Sequence, residues 1–458
     1  MRRVSTRALA SLLGVLLVPA IVFAHTVLRR SEPANDAVVS EAPHVIRLTF
    51  SEAPQLSFTR VELVGPDSQR VALSPLRIAA PDSARTIVVD VVGPLVAGPH
   101  RILWQITSAD GHPVRGTVDF RIAEDATGLT AMPAVAADAS PAPAAAQASP
   151  TQTALSVGSW QYSLIRIAGY AAIIVIVGAV VFALIVAPAT RHRVPDLDAS
   201  FVADARRLAA RTGLIATILL AGAVAARLVA QSYAVNGTPP TADFVTSVVR
   251  TPWGIGFALH ALAVVVLVVA FGRSRSALWR VAAFVALLLA AGTALSGHAA
   301  GSGRWTTVAV VSDSVHILAA GGWLGALLLI LAAGVPATAR MEPIGRGLVV
   351  REMVHAFSPM ALAFAGALAV TGVIAAILHL GSWGALTGSD YGRLLLIKIA
   401  TLALVIAAAT YNWRRLRPAL DADRIGTLRR TAGMELLLAF VVIVVTAWLV
   451  ATPPPMSQ

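Results

Sequence analysis

The sequence predicts an all-β sandwich at the N-terminus tethered to an all-α polytopic bundle of about eight transmembrane helices. Three observations predict it. Short runs of β-branched residues alternate with polar ones as far as Ala123, a stretch dominated by Ala, Pro, Ser and Thr follows, and eight apolar segments fill the remainder. A chain of 458 residues with 57% hydrophobic and only 13% charged content is too apolar for an ordinary soluble protein.

Residues 1–24 read as a signal peptide, with Arg2, Arg3 and Arg7 ahead of an apolar run from Leu9 to Phe23 and small residues at Val22 and Ala24. Removal of that segment makes His25 the new N-terminus. Residues 25–123 carry the alternating runs Val45–Phe50, Arg60–Val64, Thr86–Val91 and Thr117–Ile122, punctuated by Pro66, Pro75, Pro81, Pro94 and Pro99. This pattern predicts an antiparallel Greek-key sandwich of immunoglobulin- or cupredoxin-like build. Residues 124–159 cannot bury a core and form the tether; ~35 residues of random coil span about 30 to 35 Å.

Residues 160–451 hold apolar segments at roughly 160–187, 212–232, 253–271, 278–297, 307–333, 357–379, 392–411 and 433–451, most near the ~20 residues that cross a bilayer. Residues 452–458 are a tail. Seventeen arginines fall in the first, third, fifth and seventh loops, whereas the alternate loops hold little beyond Arg250, Arg304 and Arg393. By the positive-inside rule the arginine-rich loops face the cytoplasm of a bacterial inner membrane, and the β-domain and both termini lie on the periplasmic or extracellular side. The formal charge of +12 is therefore membrane topology and not a nucleic-acid surface.

Cysteine is absent, so metal chemistry must use His, Met, carboxylate or the terminal amine. A free N-terminal His25 offers an α-amine and an imidazole to one ion, and Asp110 and His112 add a carboxylate and a second imidazole. Such a nitrogen-rich tetragonal set suits Cu(II). Within the bundle, His260, His298, His316 and His379 come from four helices and all fall in its outer half; His316 lies roughly 13 Å deep. Ionisable residues inside a membrane are functional candidates because burying them unsatisfied is costly. Asp313 and His316 form an i, i+3 pair that either holds a metal or fixes an imidazole tautomer. His260 and His379 either join this path or point at interfacial water, and Lys398, the only lysine, is read as snorkelling to the outer surface. Met353 and Met360, with His355 and Met434 in the same layer, are weaker candidates for an exit site, since methionine is also common core filling.

Two parts of the chain resemble a known pair of modules. His25-Thr26-Val27-Leu28, Ser31-Glu32-Pro33-Ala34, Leu48-Thr49-Phe50-Ser51-Glu52 and above all the run from Trp104 to Gly116 resemble the CopC copper-binding domain. The resemblance implies Cu(II) ligands at His25, with its amine, Asp110 and His112. Some members also carry a methionine-rich Cu(I) site, but no methionine occurs between His25 and Ala131. Ser296-Gly297-His298-Ala299, Asp313-Ser314-Val315-His316, Gly321-Gly322-Trp323-Leu324-Gly325 and the run from Tyr391 to Arg414 resemble CopD membrane proteins. That family is associated with copper uptake and copper resistance. His44 and His100 belong to neither pattern and read as surface or strand residues.

The expectation is a copper-binding membrane protein, not an enzyme, that captures Cu(II) outside and mediates copper transport inward, with Cu(I) a second species in the membrane. Its partners are copper ions, the lipid bilayer and other copper-handling periplasmic proteins; nucleic acid is not one. Two alternatives belong to other classes: a membrane redox protein dependent on haem or copper, and a sequestering or sensing protein that translocates nothing. No Walker motif is present to suggest ATP-driven pumping.

Overall fold

The computed structural model describes residues 28–51, 53–79, 85–107, 113–127, 159–273, 275–297, 305–380, 382–421 and 423–452. Nine strands form the N-terminal unit: β1 (Leu28–Glu32), β2 (Ala37–Glu41), β3 (Val45–Phe50), β4 (Arg60–Val64), β5 (Arg70–Val71), β6 (Arg77–Ile78), β7 (Thr86–Asp90), β8 (Gly98–Thr107) and β9 (Pro113–Thr127). They build one sheet in the order β1-β3-β7-β6 and another in the order β2-β9-β8-β4-β5. Period-two patterning dictates this sandwich. Ile46, Leu48 and Phe50 of β3, Ile102, Trp104 and Ile106 of β8, and Val118, Phe120 and Ile122 of β9 alternate into one shared core.

The pairing departs from a purely antiparallel sandwich at one edge, where β2 runs parallel to β9. This pairing also carries β9 past Ala123 to Thr127, which lies opposite Glu41 and whose carbonyl accepts from the Ala42 amide at 2.9 Å. The ladder, not hydrophobicity, holds the polar end of that strand. Trp104 and Gly116 face each other across β8 and β9, and a Cβ on Gly116 would collide with the indole ring. A glycine is needed there for Trp104 to lie flat and meet Phe50 edge-on at 5.3 Å.

The C-terminal unit has eight helices long and apolar enough to span a membrane: α1 (Trp160–Arg193), α2 (Ser200–Asn236), α4 (Trp253–Arg273), α5 (Ser276–Leu295), α6 (Thr306–Ala337), α7 (Pro343–Leu380), α8 (Asp390–Ala419) and α9 (Ile425–Leu449). Between α2 and α4 lies a short helix, α3 (Ala242–Val249). Side chains of Ser159, Asp198, Thr241 and Ser389 cap the starts of α1, α2, α3 and α8. Several helices start earlier than hydropathy predicts: α2 at 200 and not 212, α7 at 343 and not 357, α9 at 425 and not 433. The added turns carry arginines, which end an apolar stretch without ending a helix.

Helices α1 and α6 form the centre of the bundle, with 61% of each apolar window buried. They approach most closely at Gly178 and Gly325, where a Cβ on either would strike the other's backbone. Four segments widen to π-helix: Phe182–Val186 in α1, Gly321–Gly325 and Ile330–Gly334 in α6, and Asn412–Leu416 in α8.

The sandwich rests on one end of the bundle. Phe58 is buried with Val235, Phe244, Val248 and Trp253, and its ring lies 5.8 Å from that of Phe244. Arg60 donates to Asn236 Oδ1 at 3.2 Å, Gln105 to the Val235 carbonyl at 3.0 Å and Arg115 to the Ala234 carbonyl at 3.2 Å. Each of those partners lies at the C-terminal end of α2, so the sheet containing β4, β8 and β9 meets the bundle through adjacent residues of its strands.

Candidate functional site

His25, Asp110, His112 and His298 lie outside the described residues, as does the expected signal peptide. Their chain neighbours are placed. Thr107 and Pro113, the paired ends of β8 and β9, bracket residues 108–112, and Thr107 lines a small cavity at the contact between the two units with Gln55, Phe58, Gln231, Val235 and Trp253. Leu28, three residues beyond His25, pairs with Phe50, whose ring meets Trp104 of β8. The described ends leading to all three soluble candidates therefore belong to one connected region of the sandwich.

Gln231 and Trp253 also line a second, larger cavity of about 80 Å³ between the bundle helices. Arg166, Tyr170, Arg227, His260, Thr293 and Ser296 contribute its polar wall. Arg227 lies 5.2 Å from the Trp253 ring centre and donates to the Ser296 carbonyl at 2.9 Å; Arg166 lies over Tyr162 at 4.6 Å. No carboxylate lines this pocket among the described residues. Two guanidinium groups in the wall that also holds His260 disfavour a bare cation there.

His260 is buried, which removes the expectation that it points at interfacial water. Its Nδ1 lies 2.6 Å from the Gly256 carbonyl, which only accepts, so Nδ1 carries the proton; Nε2 lies 3.1 Å from Thr293 Oγ1. The Thr293 hydroxyl donates its single proton to the Leu289 carbonyl at 2.8 Å, so Nε2 keeps its lone pair, and its contact with Thr293 brings α4 against α5. His379 is buried as well, with Nδ1 donating to the Ala375 carbonyl at 2.7 Å.

His316 is arranged differently. Its Nδ1 lies 2.8 Å from Thr371 Oγ1 on α7, and that hydroxyl donates its single proton to the Ala367 carbonyl at 2.7 Å. Nδ1 must therefore be the donor, which leaves the Nε2 lone pair available for a metal or a proton. Thr371 thus fixes the tautomer, the role expected of Asp313. Asp313, three residues earlier on α6, acts electrostatically on Tyr170 of α1 and on Tyr391 and Lys398 of α8. Lys398 is in turn coupled to His316. The lysine is half-buried on α8 and lies within electrostatic reach of Asp313.

The methionine layer does not assemble. Met353 is fully buried, its sulfur fitted against Gly334, and Met434 is 55% exposed on the outer face of α9. Met360 packs at the margin of the same apolar core, and His355 lies 3.9 Å from Glu352. Among the described residues no group of three or more His, Asp or Glu side chains is gathered to hold a metal ion.

Sequence reasoning passed over Arg166, Arg227 and Glu435, all inside apolar segments. Glu435 is 3% exposed on α9 and accepts from Asn412 Nδ2 at 3.1 Å and from the indole of Trp323. The available signal was an ionisable residue inside a span. The expected start of that span at 433 left Glu435 only two residues inside it. His100 was placed at a surface or strand: it is a strand residue, buried, and stacked 5.4 Å from Phe120.

A β-sandwich docked on an eight-helix membrane bundle, with histidine, aspartate and lysine inside the helices, defines a multi-pass membrane protein with an appended binding module. Three family models match it in chain order: CopC domain over residues 28–123, Copper resistance protein D-like, N-terminal domain over 156–308, and Copper resistance protein D over 351–449. The copper transport protein CutJ of Bacillus subtilis (strain 168) is 25% identical over 461 residues, which cover 97% of this chain and 77% of that protein. Copper resistance protein C of Xanthomonas campestris pv. juglandis is 33% identical over 110 residues, 23% of this chain and 86% of that one. Protein YobA of Escherichia coli (strain K12) is 30% identical over 118 residues, 26% of this chain and 94% of that one. The chain belongs to the CopC and CopD copper resistance family, as a fusion of the two modules, and is a copper-related membrane protein.

Proposed function

We propose that this protein captures Cu(II) on the periplasmic side through the His25 amine and imidazole, Asp110 and His112, and passes copper inward through the bundle. The observation that supports this reading is the docking of the sandwich. The ends of β8 and β9 that bracket Asp110 and His112 stand at the contact with α2 and α4, and Gln231 and Trp253 line both the contact cavity and the pocket beneath. The arginine-rich loops lie at the opposite end of the helices and face the cytoplasm in this reading.

Charge selects the branch that copper follows. The pocket around His260 is lined by two arginines, Arg166 and Arg227, and by no carboxylate among the described residues. Tyr170, which lines the pocket, also faces Asp313, where a carboxylate and the Nε2 of His316 offer a cation an anionic oxygen and a fixed lone pair. Lys398 compensates Asp313 while no copper is present, and an arriving ion takes its place. His316 and Asp313 are then the membrane ligands, whereas His260 lies between two helices and His379 is tied to its own helix. Cu(I) is a species such a nitrogen and oxygen pair carries less well than Cu(II).

Copper uptake into proteoliposomes tests the reading, with the wild-type chain, His316→Ala and empty vesicles compared. Protein-dependent uptake that falls at least tenfold in His316→Ala supports it. Equal uptake by all three sinks it.

A further inference from the structure

Below the Asp313 and His316 level the bundle holds one more ionisable group, and nothing described so far uses it. Glu435 lies ten residues into α9 from Ile425 and fourteen from Leu449, about 15 Å and 21 Å along the axis. Arg430 stands five residues before it, about 7.5 Å along the axis, so the carboxyl lies inside the apolar layer close to the arginine-rich end. Trp323, one of its two donors, stands seven residues beyond His316 on α6, about two turns further from the sandwich. The other donor, Asn412, comes from α8.

The surroundings of this carboxyl are unusual in charge. Helix α9 packs against α8, α1 and α6. From α8 it meets the Asn412 amide and from α6 the Trp323 indole, both neutral, and no charged side chain from any of the three acts on it among the described residues. No ion pair involves it. An ionised carboxylate so placed has no counter-charge, and two neutral donors satisfy only part of its four lone-pair positions. Beside it, Asn412 Oδ1 is buried with no hydrogen-bond partner. A buried acceptor left over next to a carboxyl is the place where a proton on that carboxyl, or an arriving cation, would be received.

The backbone is adapted to the same point. Trp323 sits within the π-helical segment Gly321–Gly325, and Asn412 opens the π-helical segment Asn412–Leu416. Such one-residue expansions occur often at functional sites, and here two of them, on separate helices, deliver the two side chains that hold one carboxyl.

We propose that Glu435, held by Trp323 and Asn412, is a proton-exchange site inside the bundle near its arginine-rich end, and that its proton is released when copper moves through the bundle. The step balances: the O–H bond of the acid breaks, the proton leaves to water at the arginine-rich end, and the carboxylate offsets the charge of the cation above it. Return of a proton from that water restores the acid. Coupling to copper rests on the transport reading given above; protonation of Glu435 does not.

Two measurements separate these parts. Infrared difference spectra of the full-length protein in lipid nanodiscs, taken across roughly pH 5 to 9 where buried glutamates titrate, should contain a protonated-carboxyl band that converts to carboxylate, is lost in Glu435→Gln and shifts in Asn412→Ala. A wild-type spectrum equal to that of Glu435→Gln at every pH, or a band that never converts, overturns the exchange site. In proteoliposomes loaded with a pH-sensitive dye, added copper should move protons in the wild type, and in Glu435→Gln that movement should be lost while Glu435→Asp keeps part of it. If copper enters but moves equal protons in wild type and Glu435→Gln, the coupling is wrong. If copper does not enter at all, the transport reading fails, and the infrared titration still decides the exchange site.

Discussion

Replacing Phe58 by Ala should release the sandwich from the bundle without unfolding either unit. Phe58 lies outside the sandwich's own core and inside the cluster with Val235, Phe244, Val248 and Trp253, so the loss falls on the contact. Truncating a buried phenylalanine costs about 3 to 5 kcal/mol in a core. The lower figure suits a contact that is wet at its rim, and at 1.4 kcal/mol per decade it lowers the ratio of docked to undocked molecules by about a hundredfold. The three hydrogen bonds from Arg60, Gln105 and Arg115 contribute about 1 kcal/mol each at most and cannot restore it. The chain has no cysteine, so Gln69→Cys and Thr238→Cys give two unique sites for spin labels, one on each unit. Pulsed electron resonance should give one narrow distance in the parent and a broad distribution after Phe58→Ala. A distribution that stays narrow, with a docked fraction changed by less than about threefold, would refute the argument that this ring holds the units together.

Two further outcomes are expected. An extra residue placed before His25 in the mature chain should weaken Cu(II) binding at least tenfold, because the blocked α-amine no longer joins the imidazole; isothermal titration with an unchanged affinity would show that the amine is not a ligand. His100 is pushed below the ordinary histidine range by burial, against a smaller opposing effect of its hydrogen bond to Gly98. The unfolded chain therefore binds a proton more readily than the folded one, so the stability linked to this group is present above about pH 6.5 and is lost as the pH falls. Hydrogen-exchange protection factors of residues 98–107 and 113–122 in the full-length protein, taken relative to the intrinsic rate at each pH, should fall on acidification, and His100→Phe, which keeps the stack on Phe120, should flatten that response; equal slopes in both proteins would rule it out.

The sandwich strands were legible because Val45–Phe50, Arg60–Val64 and Thr117–Ile122 alternate with the period of a pleated sheet, and the eight spans because apolar runs of that length have few other uses. What pairs with what was less legible. The parallel contact of β2 with β9 depends on backbone hydrogen bonds that no side-chain pattern announces. The short helix α3 has its apolar residues Phe244 and Val248 facing Phe58, a partner nearly two hundred positions away, and so looked like part of a loop. The closeness of Lys398 to Asp313 is hidden for the same reason: a helix shows its faces in sequence, but not which neighbour each face meets. Of the candidate ligands, His316 is held by Thr371, a residue chosen by the packing of α6 on α7 and invisible to any motif. Glu435 was hidden by arginines at 429 and 430, which led the span to be started too late.

The touching glycines of α1 and α6 divide the bundle mechanically. With Gly178 seated on the backbone of Gly325, neither helix can roll or slide without a collision, and this pair acts as a keel. Helix α8 is its opposite: only 6% of its apolar window is buried, so displacing it disturbs little beyond lipid. Yet α8 carries both Lys398 and Asn412 toward the interior. A small rocking of this one outer helix would therefore shift the counter-charge of Asp313 and the donor to Glu435 together, linking two levels of the membrane through a single rigid lever.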